Sequence, residues 1–256
     1  MAGLFDKQAA IYLDARPNYP NEWYAMLAAL TPHHSLAWDA GTGNGQSALG
    51  VAEHYEQVIG TDISVEQLKH AVQHPRVQYL HTPLSISDDE LVNLIGGENS
   101  VDLVIVAEAV HWFDLPKFYA VVKRVLKKPG GIIAVWAYND MNVSPTFDAI
   151  KKSYREACKP YWNPKCQNVG LGCEGEPLLL DIAKEISLER YLGVLKSTST
   201  YNTARELGVD LLSEKLIKEL EGAWGGPREL VRSVTYKAFM LAGKIKLDGE
   251  EFPKNL

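Results

Sequence analysis

The chain has little cysteine, no concentration of positive charge and no long apolar run, and each shortage closes off a class of function. Only 3 of its 256 residues are cysteine, at 158, 166 and 173. Their uneven spacing contains no C-x-x-C pair, so neither a disulfide framework nor a zinc site is expected; free thiols in a reducing compartment fit better. Acidic residues outnumber basic ones, 32 to 26, for a net charge of −6. With no basic tract, a nucleic-acid partner is not expected. No run of about 18 apolar residues occurs, so no membrane-spanning helix is expected. The opening stretch Met1-Ala2-Gly3-Leu4-Phe5-Asp6-Lys7 lacks a basic-then-apolar signal pattern. A cytoplasmic protein, monomer or homodimer, without a metal site is the resulting expectation. Internal repeats and low-complexity tracts are also missing.

What is present is an ordinary globular composition, 46% hydrophobic and 23% charged, enough for one sizeable core. Residues 1–35 read as a helical lead-in or lid, with Trp23, Met26, Leu27 and Leu30 at helical spacing. From 36 to about 140 strands alternate with helices: strands at 36–40, 56–61, 77–80, 101–107 and 131–137, helices at 46–54, 64–73, 86–94 and 116–127. The runs Val101-Asp102-Leu103-Val104-Ile105-Val106-Ala107 and Gly131-Ile132-Ile133-Ala134-Val135-Trp136 are nearly continuous and apolar, as suits central parallel strands buried on both faces. The pattern predicts an α/β, doubly wound and mostly parallel sheet. Residues 141–228 read as a mainly helical substrate cap, with helices at 144–159, 185–206 and 210–223 and an irregular loop at 160–177. Residues 229–256 read as a terminal strand returning to the sheet edge, then a tail.

The informative stretch is Asp39-Ala40-Gly41-Thr42-Gly43-Asn44-Gly45-Gln46, followed by Asp62 after the second strand, 21 residues beyond Gly41. A glycine turn after one strand and an acid after the next is the layout of a nucleotide-cofactor site. The glycines are spaced G-x-G-x-G with Gln46 where a dinucleotide fingerprint needs a third small residue, which disfavours a nicotinamide-dependent reductase. Asp39 stands where a carboxylate would face a ligand ammonium. Asp62 is positioned to accept hydrogen bonds from two ribose hydroxyls.

Together with Asp102 at the fourth strand and the Lys128-Pro129-Gly130-Gly131 turn before the fifth, these residues resemble the class I S-adenosylmethionine-dependent methyltransferases over roughly residues 36–137. The resemblance implies a seven-stranded Rossmann-like sheet with S-adenosylmethionine (SAM) as cofactor. Two more motifs, Tyr12 followed by Arg16-Pro17-Asn18-Tyr19-Pro20, and Ala107-Glu108-Ala109-Val110-His111-Trp112-Phe113-Asp114, are similar to the trans-aconitate methyltransferase-like (methyltransferase type 11) group, especially its plant-like branch.

The resemblance implies cofactor contacts from Tyr12, Arg16, Asp39, Gly41, Thr42, Gly43, Asn44, Asp62, Ile63, Leu84, Ser85, Ala107 and Glu108. Leu84 would pack on the adenine, with Ser85 beside it. His111 is the candidate catalytic base; the other reading is that its ring only fixes the loop. Arg16 either pairs with a carboxylate of cofactor or substrate or makes an ion pair within the lead-in. Tyr12 and Tyr19 either close over the cofactor or pack on the sheet, and Tyr19 also counts toward the substrate side. Trp112, with Phe113, reads as a core or cofactor-shelf aromatic and is also counted toward the acceptor. Trp136 and Tyr138, at the carboxyl edge of the fifth strand, and Tyr201 in the cap complete the substrate set.

The cap departs from the group. Thr198 in Lys196-Ser197-Thr198-Ser199 stands where relatives carry Trp, and the Tyr161-Trp162 stretch is short. Both changes remove aromatic bulk. The expected function is methyl transfer to a small molecule, at a carboxylate or hydroxyl oxygen of a specialised metabolite, with nitrogen and carbon acceptors left open. The alternative is a SAM-binding protein of this fold with a cyclase, isomerase or binding role.

Overall fold

A computed structural model describes residues 19–162 and 177–244, apart from the side chains of Asn139 and Asp140. Tyr12, Arg16, Cys166 and Cys173 lie outside the described residues. The described chain forms a seven-stranded sheet in the order β3-β2-β1-β4-β5-β7-β6. The strands are β1 (Leu36–Ala40), β2 (Gln57–Asp62), β3 (Val77–His81), β4 (Leu103–Ala107), β5 (Ile132–Asn142), β6 (Leu178–Ser187) and β7 (Val231–Lys244). The first five pair in parallel, and β7 runs antiparallel to both β5 and β6.

Helices cover both faces. They are α1 (Asn21–Leu30), α2 (Gln46–Ala52), α3 (Val65–Lys69), α4 (Asp88–Ile95), α5 (Leu115–Val125), α6 (Pro145–Cys158), α7 (Leu188–Lys196), α8 (Ser199–Glu206) and α9 (Glu214–Trp224). Because successive strand side chains alternate between faces, each strand feeds two cores. Ala37, Leu103, Ile105, Ala134 and Trp136 join the core under α1, α2, α6, α7 and α9. Trp38, Val104, Val106, Ile133 and Val135 join the core under α4 and α5. Each fully buried large side chain contributes about 1.5–3 kcal/mol.

Asp102 ties the parallel half together. Its Oδ2 accepts from the backbone N–H of Ser35 (2.9 Å) and Leu36 (3.0 Å), and its Oδ1 pairs with Lys127 at 2.8 Å. The acid is buried and joins the starts of β1 and β4, so its work is structural.

Three elements differ from the sequence reading. The helix expected over 64–73 is only α3, because Val72 N–H donates to Asn44 O and Val72 O accepts from Tyr79 Oη; these bonds replace the continuing helical ladder. The helix expected over 185–206 is strand β6 followed by two helices. β6 pairs along its whole length with β7, more than forty residues later in sequence, and no local periodicity announces such a partner. Ser187 caps α7 and Thr198, in extended conformation, caps α8, which splits the helical run. The terminal strand β7 sits between β5 and β6, so β6 and not β7 forms the edge.

Candidate active site

The strand order reverses between β1 and β4, and ligands of open α/β sheets bind at the carboxyl edge above such a reversal. Two cavities lie there. The larger is about 530 Å³ and the smaller about 60 Å³, and both are lined by Gly41, Gly43, Ala107 and Glu108.

The glycine turn has the shape its sequence requires. Gly41, Gly43 and Gly45 have φ of 74°, 56° and 86°, a region that L-residues with a Cβ rarely adopt. A Cβ on Gly41 would lie 2.6 Å from Ala109 Cβ, and one on Gly45 would lie 2.0 Å from Tyr79 Oη. Gly41 and Thr42 N–H both donate to Thr61 O at 2.9 Å. Asp62 then anchors the turn: its carboxylate accepts from Gly43 N–H and Ser64 N–H, each at 2.8 Å. Burial raises the Asp62 pKa, and these backbone donors oppose the rise. Asp62 and Ile63 both line the larger cavity.

Asp39 lines the smaller cavity with Thr42, Asn44, Tyr19, Glu108 and Tyr138. It is 0% exposed. Thr42 Oγ1 donates to its Oδ2 at 2.7 Å, while its Oδ1 has no hydrogen-bond partner among the described residues. Burial pushes its pKa up to about 7, opposed by the Thr42 hydroxyl and reinforced by Asp62. Two carboxylates, from Asp39 and Glu108, therefore face a space whose described lining has no lysine or arginine. That donor set suits a cation.

Glu108 leaves β4 with φ of 55°, unusual for a residue with a side chain. Reciprocal bonds hold it there: its N–H donates to Trp136 O at 3.0 Å, and its Oε1 accepts from Tyr138 N–H. His111 follows in a single 3-10 turn, Val110–Trp112. It lines the larger cavity beside Trp112, ring centroids 4.9 Å apart, and burial lowers its pKa. The imidazole is therefore neutral at pH 7 and able to accept a proton.

On the side expected to receive the adenine, the two residues are placed differently. Leu84 lines the larger cavity and is 81% exposed. Ser85 is exposed and lines neither cavity; Thr82, Pro83 and Ile86 do line the larger one. Trp136 also needs correction. It is 0% exposed and lies in the core, with Tyr19, Trp23 and Tyr24 edge-on at 5.4, 6.2 and 6.2 Å. An inward-facing position on a strand covered by α1 leaves it no route to a ligand. Tyr201 lies partly packed on the same core, and its Oη donates to Asp210; Thr198 and Ser199, just before it, reach the larger cavity. Trp38 and Gln67, also on that wall, were not anticipated, because neither carries a motif signal beyond its place next to Asp39 or in α3.

A methyltransferase-domain family profile matches residues 38–135. A solved structure of a protein assigned as a type II methyltransferase from Anaeromyxobacter dehalogenans shares 32% identity, covering 90% of this chain and 97% of that one, with a TM-score of 0.74. The chain belongs to the class I SAM-dependent methyltransferases. Among curated relatives, a methyltransferase of Dictyostelium discoideum is 35% identical over 60% of this chain and 57% of its own. The norajmaline N-methyltransferase of Rauvolfia serpentina is 30% identical over 53% of this chain and 45% of its own. The matches thus span about half the length of these curated relatives. Class I methyltransferases use SAM as methyl donor, and the chemistry present is compatible with it: a buried Asp39 carboxylate oxygen with no hydrogen-bond partner among the described residues, a backbone-held carboxylate on Asp62, and the apolar side chain of Leu84 on the cavity. Among the described residues no cluster of potential metal ligands occurs, and no helix is long and apolar enough to cross a membrane.

Proposed function

We propose that this methyltransferase acts on a small molecule, at an oxygen of a carboxylate or hydroxyl of a specialised metabolite, and that it belongs to the trans-aconitate methyltransferase-like group, plant-like branch. The observation that carries the chemistry is His111. It is a half-buried imidazole on the larger cavity, with its pKa lowered by burial and no hydrogen-bond partner among the described residues. Tyr19, Thr42, Asn44, Asp39 and Glu108 would hold the amino-acid end of SAM, and Gly43, Asp62, Ile63 and Leu84 the nucleoside.

When bound, SAM supplies an electrophilic methyl group on a sulfonium that departs as a neutral thioether. The chain's own tasks are to align an acceptor, exclude water and take up the acceptor proton. A hydroxyl acceptor would pass its proton to His111 Nδ1 or Nε2; a carboxylate needs no base. Within residues 141–228, α6 to α9 would serve as the substrate cap, while β6 belongs to the sheet; of the stretch expected as a lid, α1 is packed into the core. The buried free thiol of Cys158 agrees with a reducing, cytoplasmic setting.

Release of S-adenosylhomocysteine on incubation with SAM and metabolite extracts tests the reading. Release together with methylated products is the expected result. Cofactor binding without release from any extract would favour a non-methylating role. His111→Ala is expected to lower turnover by about 10²–10⁴-fold for a hydroxyl acceptor with S-adenosylhomocysteine affinity unchanged; equal turnover would leave His111 a loop residue.

A further inference from the structure

All but two of the described residues lining the larger cavity fall between Trp38 and Val121. The two are Thr198 and Ser199. They sit in the turn between α7 and α8, far along the chain from the glycine loop, and they bring the cap to the site.

That turn is fixed from both sides. Leu188, Tyr191, Leu192, Val194 and Leu195 bury α7 in the core, and Tyr191 packs on Phe147 at 5.5 Å. Ser197 Oγ donates to Val194 O at 2.7 Å and Thr198 Oγ1 to Leu195 O at 2.8 Å. Thr198 Oγ1 accepts from Tyr201 N–H, and Thr198 O accepts from Asn202 Nδ2 at 2.7 Å. The Thr198 hydroxyl is thus committed to its own turn. The Ser199 hydroxyl makes no hydrogen bond with any described residue. Both residues are half-buried. A turn held this firmly can discriminate between ligands, since it will not move aside to admit a poor fit.

The same cavity is lined by the aromatic rings of Trp112 and Phe113 and by the imidazole of His111. Given the methyl-transfer reading, on which this inference rests, we infer that the Thr198–Ser199 turn is the acceptor-selecting wall. It fits an acceptor with an apolar body and an oxygen that accepts a hydrogen bond from Ser199 Oγ. The small side chain at 198 sets how bulky that body can be.

The test has two arms on the full-length protein. In the first, Ser199→Cys is labelled with a maleimide and compared with wild type, which corrects for the native cysteines. One additional thiol is expected to react, at a rate that saturating S-adenosylhomocysteine leaves unchanged. Protection by S-adenosylhomocysteine, or no added reactivity, would put the turn over the cofactor or outside the site and overturn the proposal. In the second, methyl-labelled SAM and metabolite extracts are used with wild type, Thr198→Trp and Ser199→Ala. Thr198→Trp is expected to lose or exchange products. Ser199→Ala is expected to keep them, but to need about tenfold more extract for half-maximal labelling, as for one lost hydrogen bond. An unchanged profile and demand in both variants would overturn the proposal. Calorimetry with S-adenosylhomocysteine is expected to give wild-type affinity for all three variants, which checks that they are folded. If wild type itself fails to bind it, the methyltransferase reading fails; if wild type binds but the turn is silent, only this inference does.

Discussion

Asp39 is a carboxyl group held where its charge is costly, and the protein tolerates this at the place where a cation would repay it. Its pKa rises from the usual 3.8 to about 7 because of burial. Between those values the folded protein binds the proton more tightly than the unfolded chain does. The group's stabilising contribution is therefore full below about pH 3.8 and is lost as pH rises through about 7. Asp39→Asn is expected to remove this component, which thermal unfolding of the ligand-free protein from pH 5 to 8 would reveal as a flatter profile. SAM affinity should run the opposite way in wild type, weakening by up to about tenfold per unit below pH 7, as read by calorimetry. Asp62 is a different case: two backbone donors already fix its carboxylate. Asp62→Ala is expected to weaken S-adenosylhomocysteine binding by about 10–100-fold, the range for charge-assisted hydrogen bonds; unchanged affinity would remove the ribose assignment.

At the scale of elements, the glycine loop is where sequence and structure correspond most directly. Only three left-handed residues, at 41, 43 and 45, let the chain turn from β1 into α2, and glycine is the residue that does this without strain. Gly41→Ala is expected to combine a disfavoured φ with a contact of 2.6 Å to Ala109. We expect it to cost about 1–3 kcal/mol of stability, measured by urea unfolding, and to reduce cofactor affinity. Strands β4 and β5 were equally legible because a continuous apolar run has no other reading in a parallel sheet. β6 was not. Its burial alternates, with Leu180, Ile182, Lys184 and Ile186 on the less exposed side, but the charged Lys184 on that side and the apolar Leu179 and Ala183 on the other blur the pattern in the sequence, and its partner is distant. The site was legible to the same degree. Residues at strand ends, from Asp39 to Glu108 and His111, follow from the motif positions. The cap contact at Thr198 depends on how two helices break, which is set by a single capping hydroxyl. Trp136 misled for a related reason: its strand position was right, but alternation along β5 turns it inward beneath α1.

For the molecule as a whole, Trp136 joins α1 to the sheet, with three aromatic rings edge-on around it. Trp136→Ala is expected to lower stability by about 3–5 kcal/mol, whereas Trp136→Phe should leave S-adenosylhomocysteine affinity unchanged, since the ring touches neither cavity. A loss of affinity in the phenylalanine variant without loss of stability would return Trp136 to the ligand side.

The strand order has a consequence for how the chain assembles. β1 to β5 pair only with one another until β7 arrives, β1 waiting for β4, and all five have been made by residue 142. β6 has no place among them: its only described ladder partner is β7, which also completes the edge of β5. Until residue 231 and beyond have been made, β5 presents an open edge and β6 has no strand beside it. The last segment to arrive is therefore a wedge that must enter between two elements already present. This insertion, with its long-range contacts, is the step at which a nascent chain is most exposed to mispairing with another copy.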